Sequence, residues 1–240
     1  MTLPSNFENL RIAITGGTSG LGLALVRLLA DNGARVAFVA RTAEAVARTA
    51  AGTGAIGIVG DVGRKEDIYP IALQITANLG GLDVLINNAS SLGPCPLALL
   101  ADTECEELEQ ALNVNLVGPF RLTKALFGPL AASAREGRGA LVINVSSDAA
   151  VNAYAGWGAY GASKAGLRHL TAVWAEEAKA DDIRFLSIDP GDMDTPLHAA
   201  AVPDADRSTL KRPEDAAEEV LARLLAALPN PAAGLAGARP

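Results

Sequence analysis

Ser147, Tyr160 and Lys164 are the residues whose types and spacing could move a proton at one point. Tyr160 and Lys164 stand in the run Tyr160-Gly161-Ala162-Ser163-Lys164, an i, i+4 pair whose side chains share one face of a helix. A free tyrosine titrates near pH 10, too high to shuttle protons at neutrality, but a neighbouring ammonium stabilises its phenolate. Lys164 is therefore expected to bring the Tyr160 pKa down. Ser147 closes the upstream run Asn144-Val145-Ser146-Ser147. A Tyr-x-x-x-Lys alone carries little information, and its meaning here comes from the company it keeps.

The second motif is Thr15-Gly16-Gly17-Thr18-Ser19-Gly20-Leu21-Gly22, between an apolar β-branched run and an Ala/Leu/Val-rich segment of helical period. Glycines let the chain turn sharply and bring backbone N–H groups up to a pyrophosphate at a helix N-terminus, where the macrodipole adds to the attraction. The spacing G-x-x-x-G-x-G departs from the common G-x-G-x-x-G fingerprint. About 20 residues further on, where such a fold meets the adenosine ribose, an acid would favour a free 2′-hydroxyl and an arginine a 2′-phosphate. The chain has Ala40-Arg41 there, with no carboxylate. A guanidinium forms charge-assisted bonds to phosphate and stacks on adenine, so the expected cofactor is NADP(H) in preference to NAD(H). The alternative is a solvated arginine at a helix start, with NAD(H) accepted as well.

These motifs need a scaffold. Short, nearly continuous apolar runs at Leu10 to Thr15, Arg35 to Ala40, Ala55 to Val59, Val84 to Asn87, Gly139 to Val145 and Ile183 to Asp189 read as strands buried on both faces. Helices are expected at Leu21 to Asn32, Thr42 to Ala51, Lys65 to Leu79, Glu104 to Leu130, Trp157 to Lys179 and Pro213 to Ala227. This alternation predicts an α/β fold, a single doubly wound parallel sheet of Rossmann type with ligands beyond the carboxyl ends of its strands. One domain over residues 1–228 and an Ala/Gly/Pro-rich tail at 229–240 account for the chain.

Composition removes several function classes. Lys and Arg number 20 against 27 for Asp and Glu, a net charge of -7, so no basic field exists to hold nucleic acid. No apolar run approaches the roughly 20 residues a membrane helix needs, and the N-terminus lacks a targeting pattern, so a cytoplasmic protein without membrane attachment is expected. Cys95 and Cys105 are expected to be free thiols, although their count alone allows a disulfide. Two distant histidines and no Cys-x-x-Cys pattern argue against a metal site.

Taken in order and spacing, the motifs resemble the short-chain dehydrogenase/reductase family in its compact form, over about Leu10 to Thr195. The resemblance rests on the glycine loop, Asp61-Val62, Asn87-Asn88-Ala89, Val114-Asn115-Leu116, the Ser147, Tyr160 and Lys164 set, and Pro190-Gly191 followed by Thr195. It implies that Tyr160 is the general acid in reduction and the base in oxidation, that Ser147 holds the substrate oxygen, and that Lys164 tunes the tyrosine and binds the nicotinamide ribose. Asn115 would hold a water linking Lys164 to solvent. Gly16, Thr18, Ser19, Gly20, Leu21 and Gly22 would cradle the pyrophosphate, with Asp61 and Val62 at the adenine. Asn88, Ala89 and Ser90 would line the cofactor, and Pro190, Gly191, Met193 and Thr195 would meet the carboxamide end. Each has a plainer reading: Ser147 as a strand-end hydroxyl, Asn115 as a helix-interior amide, Asp61 as a helix cap.

Two departures stand out. Ser90 occupies a place where the family commonly has glycine, adding a side chain beside the cofactor. Residues Gly234 to Pro240 are too small and broken for the family's seventh strand, so six strands with a short or missing seventh are expected and the usual tetramer is in doubt. A homodimer through the helices at Glu104 to Leu130 and Trp157 to Lys179 is the expected minimum assembly. The expected substrate is a small or medium ketone, aldehyde or secondary alcohol with an apolar or aromatic substituent, walled by Tyr154, Trp157, Met193 and Leu197 with Ser147 and Tyr160. His198 could hydrogen-bond the substrate, but it reads more readily as a solvated loop residue. Asp192 and Asp194, with no basic cluster nearby, weigh against an anionic substrate or a phosphopantetheine carrier. The rival to a carbonyl reductase is a nucleotide-binding sensor or scaffold with little turnover.

Overall fold

The structure, a computed structural model, describes residues 7–228. The expectations for the 229–240 tail and a seventh strand lie outside the described residues. Six strands form one parallel sheet: β1 (Arg11–Thr15), β2 (Arg35–Ala40), β3 (Ile56–Val59), β4 (Val84–Asn87), β5 (Ala140–Val145) and β6 (Ile183–Ile188), in the order β3-β2-β1-β4-β5-β6. The helices are α1 (Gly20–Asp31), α2 (Ala43–Thr53), α3 (Lys65–Leu79), α4 (Cys105–Leu112), α5 (Gly118–Arg135), α6 (Gly158–Glu177), α7 (Pro196–Ala201) and α8 (Pro213–Ala227). The doubly wound expectation is met, with α3 and α8 at the bounds read from their periodicity.

Successive residues of each strand feed opposite cores. Ile12 and Ile14 pack with Leu21, Leu25 and Leu29 of α1 and Val220 and Leu224 of α8, whereas Ala13 faces Ile71 and Ile75 of α3 and Leu122 and Leu126 of α5. Covering both faces is what makes the strands read as continuous apolar runs. Strand order reverses between β1 and β4, and there the carboxyl ends are stitched together. Thr15 Oγ1 accepts the backbone N–H of Asn88 and of Ala89, each at 3.0 Å, while Asn88 Nδ2 donates to the carbonyls of Thr15 at 2.9 Å and Gly16 at 3.2 Å.

Two expectations need correction. The segment from Glu104 to Leu130 is not one α-helix: α4 and α5 are separated by a π-helical turn over Asn113–Val117, and α5 continues to Arg135. Its hydrophobic period is uninterrupted, so the wider winding leaves no mark in the pattern. The stretch after Pro190 contains the short helix α7, with Thr195 Oγ1 accepting the His198 N–H as its cap and Pro196 in its first turn.

The amino-terminal end of the central strands is held by a buried carboxylate. Asp83, just before β4, is fully buried and accepts from Arg11, Arg138 and Ser133, including Arg11 Nη2 at 2.7 Å and Arg138 Nη2 at 3.0 Å. Burial works to raise its pKa, but the bonds from Arg138, Arg11 and Ser133 outweigh it and hold the carboxyl below its ordinary value. The folded pKa thus lies below the unfolded value of 3.8, so the stabilisation is fully present above that pH and is lost as pH falls through the folded value. Asp83→Asn should lower the unfolding free energy by about 3–5 kcal/mol at neutral pH, because two guanidiniums lose their charge partner. Urea melts of both proteins should show this gap shrinking in acid below the carboxylate range.

Candidate active site

Beyond the carboxyl ends of the strands lies a cleft of about 840 Å³. Its floor at one end is the turn between β1 and α1. Gly16 has φ +71° there, and a Cβ at Gly22 would come within 2.1 Å of the Gly16 carbonyl, so the tight approach of turn and helix excludes side chains. Ser19 enters α1 in extended conformation without capping it, and the first turn has no acidic residue. Free N–H groups and the positive end of the helix dipole therefore meet at the cleft with no negative side chain competing, which suits the pyrophosphate of a dinucleotide. Arg41, directly after β2, lines the same end of the cleft with Asp61 and Val62.

At the other end, β5 runs out into Ser147, and α6 presents Tyr160 and Lys164 one turn apart. Both α6 side chains are buried: Tyr160 is 7% exposed and Lys164 2%. Lys164 Nζ lies 5.5 Å from the Tyr160 ring centre and donates to the Val145 carbonyl at 2.8 Å. Trp157 meets the Tyr160 ring edge-on, with centres 5.6 Å apart. Ser147 Oγ accepts the Ala149 N–H at 3.2 Å and donates to Asp148 Oδ1 at 3.1 Å, capping the short turn that leads away from β5.

The electrostatics correct one expectation. In the chain alone Tyr160 is not brought down on balance: burial pushes its pKa above 10, opposed by the nearby hydroxyls of Ser147 and Ser90 and reinforced by the negative charges of Asp189 and Asp148. Lys164 is itself pulled down to about 8 by burial, with Asp189 opposing. The i, i+4 reading counted the ammonium's attraction for a phenolate and omitted the cost of removing both groups from water.

All the cofactor and substrate candidates line this cleft. Asn115 alone lies behind its wall, fully buried in the π-helical turn. Its amide is saturated by protein: Nδ2 donates to the Ser91 carbonyl at 2.7 Å and to Ser163 Oγ at 2.8 Å, and Oδ1 accepts from the Ser91 N–H at 2.8 Å and from Ser90 Oγ at 3.3 Å. The side chain thus ties the loop after β4 to α6. Met193 packs against the α1/α8 core, whereas Trp157 and Leu197 gather around Tyr160 and Leu92 in a small apolar cluster of their own.

Tyr154 is more than an apolar surface, since its hydroxyl donates to Asp148 Oδ2 at 2.7 Å and that bond raises its pKa. Asp148 and Asp189, which the sequence reading did not single out, both line the cleft. The first stands next to Ser147 in sequence, and the second directly follows the sixth strand, as expected of cleft residues. His198 is half-buried on α7 with its Nδ1 enclosed, not a solvated loop residue. Asp194 is paired by Arg207 at 2.8 and 2.9 Å, so it lacks no basic partner. Cys95 and Cys105 are free, exposed thiols.

Comparison with known proteins gives consistent matches. A family profile described as short chain dehydrogenase covers residues 11–206. Carbonyl reductase family member 4 of Xenopus tropicalis is 33% identical over 186 residues, covering 77% of this chain and 76% of that protein. The 3-ketoacyl-(acyl-carrier-protein) reductase of Brucella melitensis, solved with NADH, superposes with a TM-score of 0.83 at 25% identity over 90% of each chain. A short chain dehydrogenase of Burkholderia cenocepacia in complex with NADP superposes with a TM-score of 0.81 at 26% identity, over 93% of this chain and 92% of that one.

The saturated amide generates a test. Asn115→Ala strands buried partners on both the β4 loop and α6 and should lower the unfolding free energy by about 3 kcal/mol, read from urea denaturation.

Proposed function

The chain belongs to the short-chain dehydrogenase/reductase family of oxidoreductases, and on that premise we propose that it is an NADP(H)-dependent carbonyl reductase, running in reverse as a secondary alcohol dehydrogenase. The observation that carries the reading is the convergence of Ser147, Tyr160 and Lys164 at one end of a cleft whose other end is an uncapped helix N-terminus beside Arg41. Bound nicotinamide supplies the hydride. The protein's part is to hold the carbonyl and deliver a proton to its oxygen.

Tyr160 is the proton donor. Its raised pKa keeps the phenol protonated at neutrality, the form reduction consumes. Lys164, anchored on the Val145 carbonyl, puts an ammonium against the tyrosine ring and favours the phenolate as it forms. Ser147 holds the substrate oxygen, which requires its hydrogen to turn from Asp148 toward the substrate. Trp157 and Leu197 offer the apolar wall that fits a small or medium ketone or aldehyde. Arg41 receives the 2′-phosphate. Carbonyl reductase family member 4 and the NADP complex lend support by similarity. Assembly as a homodimer is proposed through α5 and α6, where Phe120 and Val173 are partly exposed.

The test follows NADPH absorbance against a panel of ketones, diketones, quinones and aldehydes. Turnover is expected, and Tyr160→Phe should lower it by about 10²-fold or more, the scale of a lost general acid. NADPH binding without turnover of any compound would favour the nucleotide sensor. Arg41→Asp should reverse the cofactor preference in fluorescence titrations, and equal affinity of the unmutated protein for NADPH and NADH would remove the phosphate role of Arg41.

A further inference from the structure

The reacting end of the cleft continues into an apolar groove that the proposed chemistry has not used. On α7, Leu197, Ala200 and Ala201 stand at i, i+3 and i+4 and so share one helix face. All three are half-buried, whereas Ala199 is exposed. That face lines the cleft and packs on the cluster of Leu92, Ala149 and Tyr160. Two of its three side chains are single methyl groups, which leaves space above them. The facing wall is the loop after β4, with Leu92, Gly93 and Cys95 in the lining. The two walls come together where Cys95 Sγ donates to the Ala200 carbonyl at 3.8 Å. The space between them is therefore narrow, a shape that takes an extended chain more readily than a fused ring.

The charges around this groove leave no counter-ion for an anion. Of the lysines and arginines lining the cleft, Arg41 lies at the opposite end, and Lys164 is 2% exposed and held by the Val145 carbonyl. Arg207, beyond α7, is paired with Asp194. Asp148, Asp189 and Asp192 line the reacting end, so a carboxylate or phosphate on the substrate would meet like charge there. The three segments around the groove also keep apolar side chains in water: Val202 directly after α7, Leu99 and Leu100 on the β4 loop, and Val151 and Tyr154 before α6. These are five of the ten large apolar side chains left exposed among the described residues, a concentration that marks a surface for an apolar ligand.

We propose that the substrate is an uncharged ketone or secondary alcohol bearing an unbranched aliphatic chain, and that the chain lies between the apolar face of α7 and the loop after β4. The inference rests on the reading of the cleft as a carbonyl reductase site, and its test separates the two. Reduction by NADPH is followed along the methyl ketones from butanone to decan-2-one. kcat/KM should rise about threefold to fourfold for each added methylene until the groove is filled. Ala200→Phe, which fills the groove, should lower the ratio of decan-2-one to butanone by about tenfold or more, the worth of two methylenes. Val202→Asp, at an exposed position, should lower the same ratio without disturbing the core. Ethyl 3-oxooctanoate should be reduced about tenfold or more faster than 3-oxooctanoate, which has the same chain and a free carboxylate. Binding is read separately from Trp157 fluorescence in a Trp174→Phe background, these being the 2 tryptophans. A flat series in a protein whose turnover is lost in Tyr160→Phe would overturn the groove and leave the reductase reading intact. Equal rates for the ester and the free acid would overturn the requirement for an uncharged substrate. Affinity that grows with chain length in a protein that reduces none of these ketones would support the groove and reject the reductase.

Discussion

The cleft exists because the strand order reverses between β1 and β4, sending their following helices to opposite faces, and it keeps its shape because Thr15 and Asn88 bridge that gap. Two backbone N–H groups converge on one threonine hydroxyl, and one asparagine amide satisfies two carbonyls across the opening. These groups could not pair within either ladder, so the unmet valences of two diverging strands are spent on each other. Everything that lines the cleft is measured from this seam: the glycine turn and Arg41 on one side, the Ser90 loop and α6 on the other.

The site on the far side is built from groups that water would keep in different states. Tyr160 is held as the phenol and Lys164 is made a weaker base, both through burial. Two opposite tendencies thus drive apart the proton affinities of the proton donor and the ammonium behind it, leaving Lys164 the one that gives up its proton first. An added positive charge in so dry a cleft acts on both groups at short range and with little screening. The proposed chemistry therefore depends on how completely the wall formed by Trp157, Leu92 and Leu197 excludes solvent, as well as on which residues carry protons.

Much of this was legible in the residues. The sheet could be read because strands buried on both faces are written as unbroken apolar runs, and α3 and α8 because an amphipathic helix writes its period. The cofactor and substrate candidates converge on one cleft because they sit in the loops that leave the strand ends or on the helices that follow those loops, where such folds collect ligands. Other features leave no local trace. The π-helical turn at Asn113–Val117 keeps helical spacing, and the Ser90–Asn115–Ser163 linkage joins residues from three separate elements. The direction of the Tyr160 shift depends on burial, which spacing does not report. Helix α7 did have a signal, Thr195 followed by Pro196, but its short length hid it among loop residues.

Behind the cleft, Asn87 and Asn144 face each other across the β4–β5 ladder, joined at 2.8 Å, and Asn144 continues to Thr171 of α6 at 2.8 Å. Amides so deeply buried in an otherwise apolar sheet match in one alignment only. A slip of two residues would set Asn87 against Val142 in one direction or Asn144 against Leu85 in the other, and either way the two amides lose each other. Parallel apolar strands discriminate poorly among neighbouring alignments, since Val, Leu and Ile exchange places at small cost. The asparagine pair therefore favours the observed alignment of β4 and β5 over its neighbours, and with it the positions at which the loops bearing Ser90 and Ser147 leave the sheet.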